Sequence, residues 1–209
     1  MSITTKKPPI KETVGAQYIC FCTMDEDGNW TNQFEADVEK TEVVKSVKIT
    51  ENSEGAEVYA SGGVYDTDNT VSSIDIETEV VAFPADTLAK MRGDTVGAGG
   101  LILSGGNKRR PFFAYGKVVK LKNGKARLEW FPKCKLAENS DEAKTKEASF
   151  SEQTDTVTIK AYPFDVAGNI KAAVDSTMTS FPMGLTEELF FAKPILTDAD
   201  LTAALPTTA

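Results

Sequence analysis

The stretch "SSIDIETEVVAF" at residues 72–83 decides the fold class of this chain, because apolar and acidic side chains alternate along it. Residues two positions apart in a β-strand lie on the same face of a sheet. The pattern therefore predicts a strand with Ile74, Ile76 and Val80 on one face. The other face presents three carboxylates in a row, namely Asp75, Glu77 and Glu79.

Segments typical of strands occur along most of the chain, and residues that favour turns separate them. The predicted strands cover residues 16–24, 41–50, 57–64, 72–83, 111–122, 125–137 and 154–165, with turns at 25–29 and 65–70. The Asn123-Gly124 pair between two apolar runs is a strong hairpin signal. The sequence therefore predicts a mainly β protein, an antiparallel sandwich or barrel.

Two parts of the chain have helical patterns instead. The segment "PADTLAKMRG" at residues 84–93 begins with proline and ends with glycine, so it predicts one short α-helix. Residues 185–209 predict a helix or two on either side of Pro194. We therefore expect a flexible N-terminal arm at 1–13, a β domain at 14–180 and a partly helical C-terminal extension at 181–209.

The charge of the 209-residue chain is unevenly distributed. Its net charge of −8 argues against a general nucleic-acid-binding protein. Residues 25–86 hold sixteen acids and three lysines, whereas residues 105–135 hold ten basic residues and one acid. This asymmetry suits head-to-tail association of identical copies.

The composition also narrows the chemistry that we expect. The chain has no histidine, and its three cysteines lack the spacing of a disulfide framework or a zinc site. We therefore expect no catalysis, no metal and no cofactor. Neither a signal-peptide pattern nor a membrane-spanning run is present in the sequence, so we expect a protein made in the cytoplasm.

Two motif-like segments have ordinary explanations. The segment "DEDGN" at residues 25–29 lacks the spacing of a calcium loop, and the glycine-rich residues 97–106 lack the ending of a phosphate loop. The acidic row has three interpretations, namely the wet face of an antiparallel sheet, the paired acids of a glycosidase, or a wall with a function of its own. The residues alone leave these interpretations open.

A wider resemblance favours the third interpretation. The block "EVYASGGVYDTDNT…IDIETEVVAFPADTLAKMRG" resembles a central part of the major tail proteins of long-tailed bacteriophages. The block from "RRPFFAYGKVVKLKNG" to "TDTVTIKAYPFD" is similar to the part that follows in that family, including an aromatic-proline step at Phe131-Pro132. The segments "GNIKAAVDSTM" and "LTEELFFAKPILTDADL" resemble the C-terminal part of some members. Together the segments span about residues 14–201.

The resemblance implies a structural protein that forms a tail tube. Copies would form stacked hexameric rings whose strands close into a β-barrel with the helix outside, and DNA would pass through without specific binding. The implied partners are further copies of the chain, a tape measure protein and tail-end proteins, with the virion tail as location after assembly in the host cytoplasm. A carboxylate lining would repel DNA, which carries one charge per ~1.7 Å of axis.

The resemblance also suggests roles for particular residues. We expect Asp75, Glu77 and Glu79 to line the lumen, and either residues 55–70 or residues 94–110 to reach the neighbouring ring. The candidate ring–ring contacts are Lys108, Arg109, Arg110, Asp66 and Asp68. An isolated β-sandwich ligand-binding module is the alternative function, and a carboxylate-dependent hydrolase is a third.

Overall fold

The computed structural model describes residues 5, 7–60, 63–143, 145 and 153–206, and for residues 54, 56–60 and 63–69 it describes the backbone alone. In this part of the chain there are eleven strands, three α-helices and one short 3₁₀ helix at Lys122–Gly124. The strands are β1 (Lys11–Met24), β2 (Trp30–Phe34), β3 (Glu39–Thr41), β4 (Val44–Ala60), β5 (Gly63–Val80), β6 (Thr95–Val96), β7 (Ile102–Leu103), β8 (Phe113–Leu121), β9 (Lys125–Ser140), β10 (Asp155–Ala161) and β11 (Ala172–Asp175). The helices are α1 (Ala85–Arg92), α2 (Glu187–Phe191) and α3 (Asp198–Ala203).

Nine of these strands form one antiparallel sheet. Its order is β2-β1-β8-β9-β10-β5-β4, while β3 also pairs with β1 and β11 also pairs with β9. Strands β6 and β7 form a separate two-stranded sheet. The predicted mainly β, antiparallel fold is confirmed.

The large sheet curls, so that its last strand β4 comes near β1. β3 pairs with β1 between Gln17↔Thr41 and Ile19↔Glu39, and β4 begins only three residues after β3. This short connection brings β4 close to β1. The concave side of the sheet encloses the first hydrophobic core, which includes Ile76, Phe113, Tyr115, Phe131, Ile159 and, from α1, Met91.

The C-terminal extension covers the opposite face of β1, β8 and β9 and encloses a second core. Phe191 stacks on Tyr18 with ring centroids 3.9 Å apart, and the indole Nε1 of Trp130 donates to the carbonyl of Phe190 at 3.1 Å. Gly116 on β8 makes room for this contact, because a Cβ there would lie 2.7 Å from the Phe191 ring. The predicted helical extension therefore packs on its own domain.

Local sequence signals set several of these elements. Asn123 and Gly124 both have φ near +70°, as the tight turn between β8 and β9 requires. Helix α1 follows Pro84 and ends at Gly93, whose φ of 74° is the left-handed conformation that glycine adopts readily. Strand β1 begins at Lys11, within the segment predicted as an N-terminal arm.

The prediction of a turn at residues 65–70 is wrong. Strand β5 runs through this segment, which pairs with β4 in a long antiparallel ladder that includes Ala56↔Asp68 and Val58↔Asp66. The composition "YDTDNT" favours a turn locally, but pairing with the partner strand overrides that preference. One long hairpin of β4 and β5 therefore replaces the three shorter strands predicted at 41–50, 57–64 and 72–83.

Candidate functional site

The acidic row lies on a solvent-facing side of β5. Along residues 74–80 the buried positions are Ile74, Ile76, Thr78 and Val80, and they alternate with partly or fully exposed carboxylates at Asp75, Glu77 and Glu79. The apolar side belongs to the first core, so burial there fixes the register of the strand. The three carboxylates therefore share one face, as the sequence predicts.

Neighbouring strands supply cations to this face, a feature that one strand alone does not reveal. On β4, Lys48 lies opposite Glu77, with 3.7 Å between Nζ and Oε2. Lys45 Nζ lies 3.8 Å from Oε1 of Glu79. On the other side of β5, Lys160 of β10 lies directly opposite Asp75. The face is therefore charge-compensated rather than uniformly anionic.

Polar groups complete the face. Asn52 donates from Nδ2 to Asp75 at 2.8 Å, and Ser46 donates from Oγ to Glu79 at 3.3 Å. Thr156 and Thr158 of β10 lie opposite Glu79 and Glu77 and are partly exposed. Exposed ion pairs contribute little to stability, so this surface does not hold the fold together.

The strand at the edge of the sheet beside this face is long, and it is β4. Strand β4 has 17 residues, and within the described part of the chain it pairs with β5 and with no other strand. Natural proteins usually shorten, cover or pair such edges, because the open backbone groups bind other strands. The edge of β4 is therefore a surface that favours association.

The β4–β5 hairpin extends beyond the body of the sheet. Pairing of β5 with β10 stops at Ile74, whereas pairing with β4 continues to Ala60↔Gly63. The seven residues 54–60 span about 23 Å at the usual rise of a strand. We call residues 54–70 the arm. The candidate contacts Asp66 and Asp68 belong to this segment, and the structure describes only their backbone.

Residues 94–110 form a second projection. Its strands β6 and β7 carry exposed apolar side chains, namely Val96, Leu101, Ile102 and Leu103, where Leu101 precedes β7. Lys108 donates from Nζ to the carbonyl of Leu103 and therefore closes this hairpin. Arg110 donates to the carbonyls of Leu136 and Ala137 at 2.8 and 2.6 Å. The role of Lys108 and Arg110 between rings stays a prediction.

Sequence reasoning missed a basic and aromatic cluster on β9 and its surroundings. Lys133 and Lys135 lie two residues apart on β9, with Nζ of Lys135 4.0 Å from the centroid of Phe112 and Nζ of Lys133 5.0 Å from that of Trp30. Together with Arg109 we call these residues the basic patch. The signal was present in "PKCKL", where the lysines alternate with buried residues.

The described residues contain no group of three or more histidine, cysteine or acidic side chains placed to hold a metal ion. Nor is any helix among them both long and apolar enough to cross a bilayer. Burial raises the pKa of the Cys20 thiol to about 12 and that of the Cys134 thiol further still. These two cysteines are therefore protonated at neutral pH.

The comparisons with known proteins find a likeness among solved structures alone. No family model matches the chain, and no curated protein matches it. The chain is similar to a chain in the six-fold symmetrised cryo-electron microscopy structure of the baseplate of the anti-feeding prophage. The two share 7% sequence identity, the match covers 81% of this chain and 97% of that chain, and the TM-score is 0.42. A likeness at this level carries no conclusion about fold, family or function.

Proposed function

We propose that this chain is a structural protein of a phage tail or of a phage-tail-like particle. More specifically, we propose that it forms stacked hexameric rings of a tail tube through which DNA passes during ejection. The ordered series of segments that resemble major tail proteins supports this proposal. The observation that carries it is the long edge strand β4, which the described residues pair on one side, beside a polar face that the same residues leave uncovered.

The edge of β4 supplies a means of assembly. Joining such edges around a ring satisfies open backbone groups and removes a surface that would otherwise aggregate. When one patch of each copy contacts a different patch of the next copy, the copies form a closed ring if the rotation from copy to copy adds up to a full turn. The face that carries Asp75, Glu77 and Glu79 then lines the lumen.

The charge pattern of this face suits passage of DNA. Lysine alone would bind the phosphate backbone and release counterions. Glu77 and Glu79 hold Lys48 and Lys45 of β4 in ion pairs, while Thr156 and Thr158 add neutral polar surface on the other side of β5. A compensated wall of this kind offers DNA little net attraction, which replaces the uniformly anionic lining expected from β5 alone.

The remaining parts of the proposal follow from the resemblance. The protein acts by self-assembly without catalysis or a cofactor, it meets a tape measure protein and tail-end proteins, and it resides in the virion tail after assembly in the host cytoplasm. A monomeric ligand-binding module is the alternative.

Electron microscopy tests the proposal directly. Purified protein at increasing concentration should form rings or tubes in negative stain and sediment as a large species. A protein that stays monomeric at every concentration would refute the tube and favour the binding module.

A second experiment tests the lumen assignment by itself. The triple variant Asp75→Lys, Glu77→Lys, Glu79→Lys should still assemble, yet particles that carry it should eject DNA poorly because free cations now face the phosphates. Its control has the same charge change at exposed acids elsewhere, namely Glu12, Asp37 and Asp141. Normal ejection by the triple variant, or equal loss in the control, would remove these residues from the lumen.

A further inference from the structure

The lysines of the basic patch lie on the same face of the sheet as the acidic row. Residues directly opposite each other in an antiparallel ladder point to one face. Asp75 of β5 lies opposite Lys160 of β10, and Lys160 lies opposite Lys135 of β9. The Nζ atoms of Lys133 and Lys135 lie 5.9 and 4.0 Å from the centroid of the same Phe112 ring. The face that the proposed tube turns to its lumen therefore continues from three carboxylates to three lysines.

These three lysines differ from the lysines of β4 in having no ion-pair partner among the described residues. The two lysines that flank the acidic row on β4 each have a carboxylate oxygen within 4.0 Å. No carboxylate oxygen of the described residues lies within 4.0 Å of Lys133, Lys135 or Lys160. Asp75, the acid opposite Lys160, accepts a hydrogen bond from Asn52 instead. One end of the face is therefore uncompensated.

The arrangement of these lysines costs stability in the free chain. Like charges directly opposite each other on neighbouring strands repel, as Lys135 and Lys160 do. Burial lowers the pKa of Lys135, and repulsion from Arg109 and Lys133 lowers it further. The ammonium groups of Lys133 and Lys135 lie over aromatic rings, where they are less hydrated than on a fully exposed side chain. A bound anion would relieve the repulsion and would meet cations that have already lost part of their water.

We propose that the basic patch, together with Lys160, contacts the phosphate backbone of duplex DNA as the DNA moves along the lumen. This inference rests on the proposed function, because that function makes DNA the polyanion that reaches this face. DNA carries one charge per ~1.7 Å of axis, whereas one face of an extended acidic peptide carries at most one per roughly 6.6 Å. The higher charge density suits three lysines so close together. Because the neighbouring rows at Glu77 and Glu79 are compensated, the contact is confined to one end of the face and slows DNA without holding it.

The salt dependence of DNA binding tests the contact. Fluorescence anisotropy of a short labelled duplex measures binding to the full chain, kept dilute enough to stay unassembled. Three lysines that each neutralise a phosphate give a slope of about −2.7 in log K against log salt, so each doubling of the salt weakens binding about sixfold. The triple variant Lys133→Gln, Lys135→Gln, Lys160→Gln should lose most of the binding at low salt. No binding by the wild type at low salt, or an unchanged slope in the variant, would overturn the inference.

Two controls separate this site from other effects. Lys120→Gln, Lys122→Gln, Lys125→Gln makes the same charge change at exposed lysines near the turn between β8 and β9 and should keep the wild-type slope. An equal loss of binding in this control would overturn the site. The single variant Lys160→Gln should reduce the slope by about 0.9 while its melting temperature stays equal to that of the wild type or rises, since one of two opposed like charges is gone. A lower melting temperature would show that Lys160 supports the fold instead.

The same measurements distinguish failure of this inference from failure of the proposed function. If the wild type forms tubes but does not bind the duplex at low salt, only the inference fails. If the wild type binds the duplex through these lysines but never assembles, the proposed function fails and the patch stands as a nucleic-acid site. Polyglutamate serves as the competing ligand. If it displaces the duplex at equal charge concentration, and the triple variant loses polyglutamate binding as well, the patch belongs to an acidic protein partner and DNA is overturned as its ligand.

Discussion

Inside the curled sheet, one ion pair allows a quantitative prediction. Lys117 Nζ lies 2.6 Å from Oε2 of Glu129, and the two side chains are 9% and 7% exposed. Gln17 lies opposite Lys117 on β1, is 1% exposed and has no hydrogen-bond partner for its side-chain amide. Replacing Lys117 with methionine keeps the volume similar but leaves the Glu129 carboxylate buried without its cation.

The expected loss of stability follows from that unpaired charge. Removing one partner of a buried pair costs about 3–5 kcal/mol. The penalty of Lys117→Met is therefore expected to lie in this range at pH 7.

Urea denaturation at pH 7 followed by tryptophan fluorescence measures this penalty. The protein concentration must be low enough to keep the chain monomeric, because assembly would add apparent stability. The double variant Lys117→Met, Glu129→Leu is the control, since it removes both charges and should be close to wild type or more stable. The reasoning is refuted if Lys117→Met costs less than about 1 kcal/mol at pH 7, or if the double variant loses as much as the single one.

Three further outcomes are expected. Gly116→Ala should destabilise the chain by about 1–3 kcal/mol in urea, because the new methyl group meets the Phe191 ring and overpacks the second core; an unchanged midpoint would contradict this close packing. Hydrogen bonds from Asn169 lower the pKa of Asp165. The Asp165 carboxylate therefore adds to stability above its unfolded-state pKa of about 3.9, and this contribution is lost as the pH falls through its lower folded-state pKa. Asp165→Asn should flatten the acid side of the profile of stability against pH, and an unaltered profile would argue against these hydrogen bonds. Cys20 and Cys134 should resist a thiol reagent in the native protein at pH 8 and react after unfolding, and rapid native labelling would contradict their burial.

The sequence alone identified most local elements of the fold. The turn at Asn123-Gly124, helix α1 and the alternation along β5 depend on residues close together in the chain, where φ preferences and periodicity act directly. The same signals gave a wrong prediction at residues 65–70. The local preference of these residues for a turn is weaker there than their pairing with β4. They also did not reveal the basic patch, whose aromatic rings come from separate elements.

The shared face of Asp75, Glu77 and Glu79 follows from the sequence of β5, because side chains alternate along any strand. The charges that stand beside these carboxylates depend instead on how the strands pair in the folded sheet. Lys160 is 85 positions from Asp75 in the chain, and it lies opposite Asp75 solely through the pairing of β10 with β5. Strand pairing is settled by which apolar faces can be buried together, a property of the whole sheet. The sign and balance of charge on the proposed lumen face therefore follow from the fold and could not be obtained from any one segment.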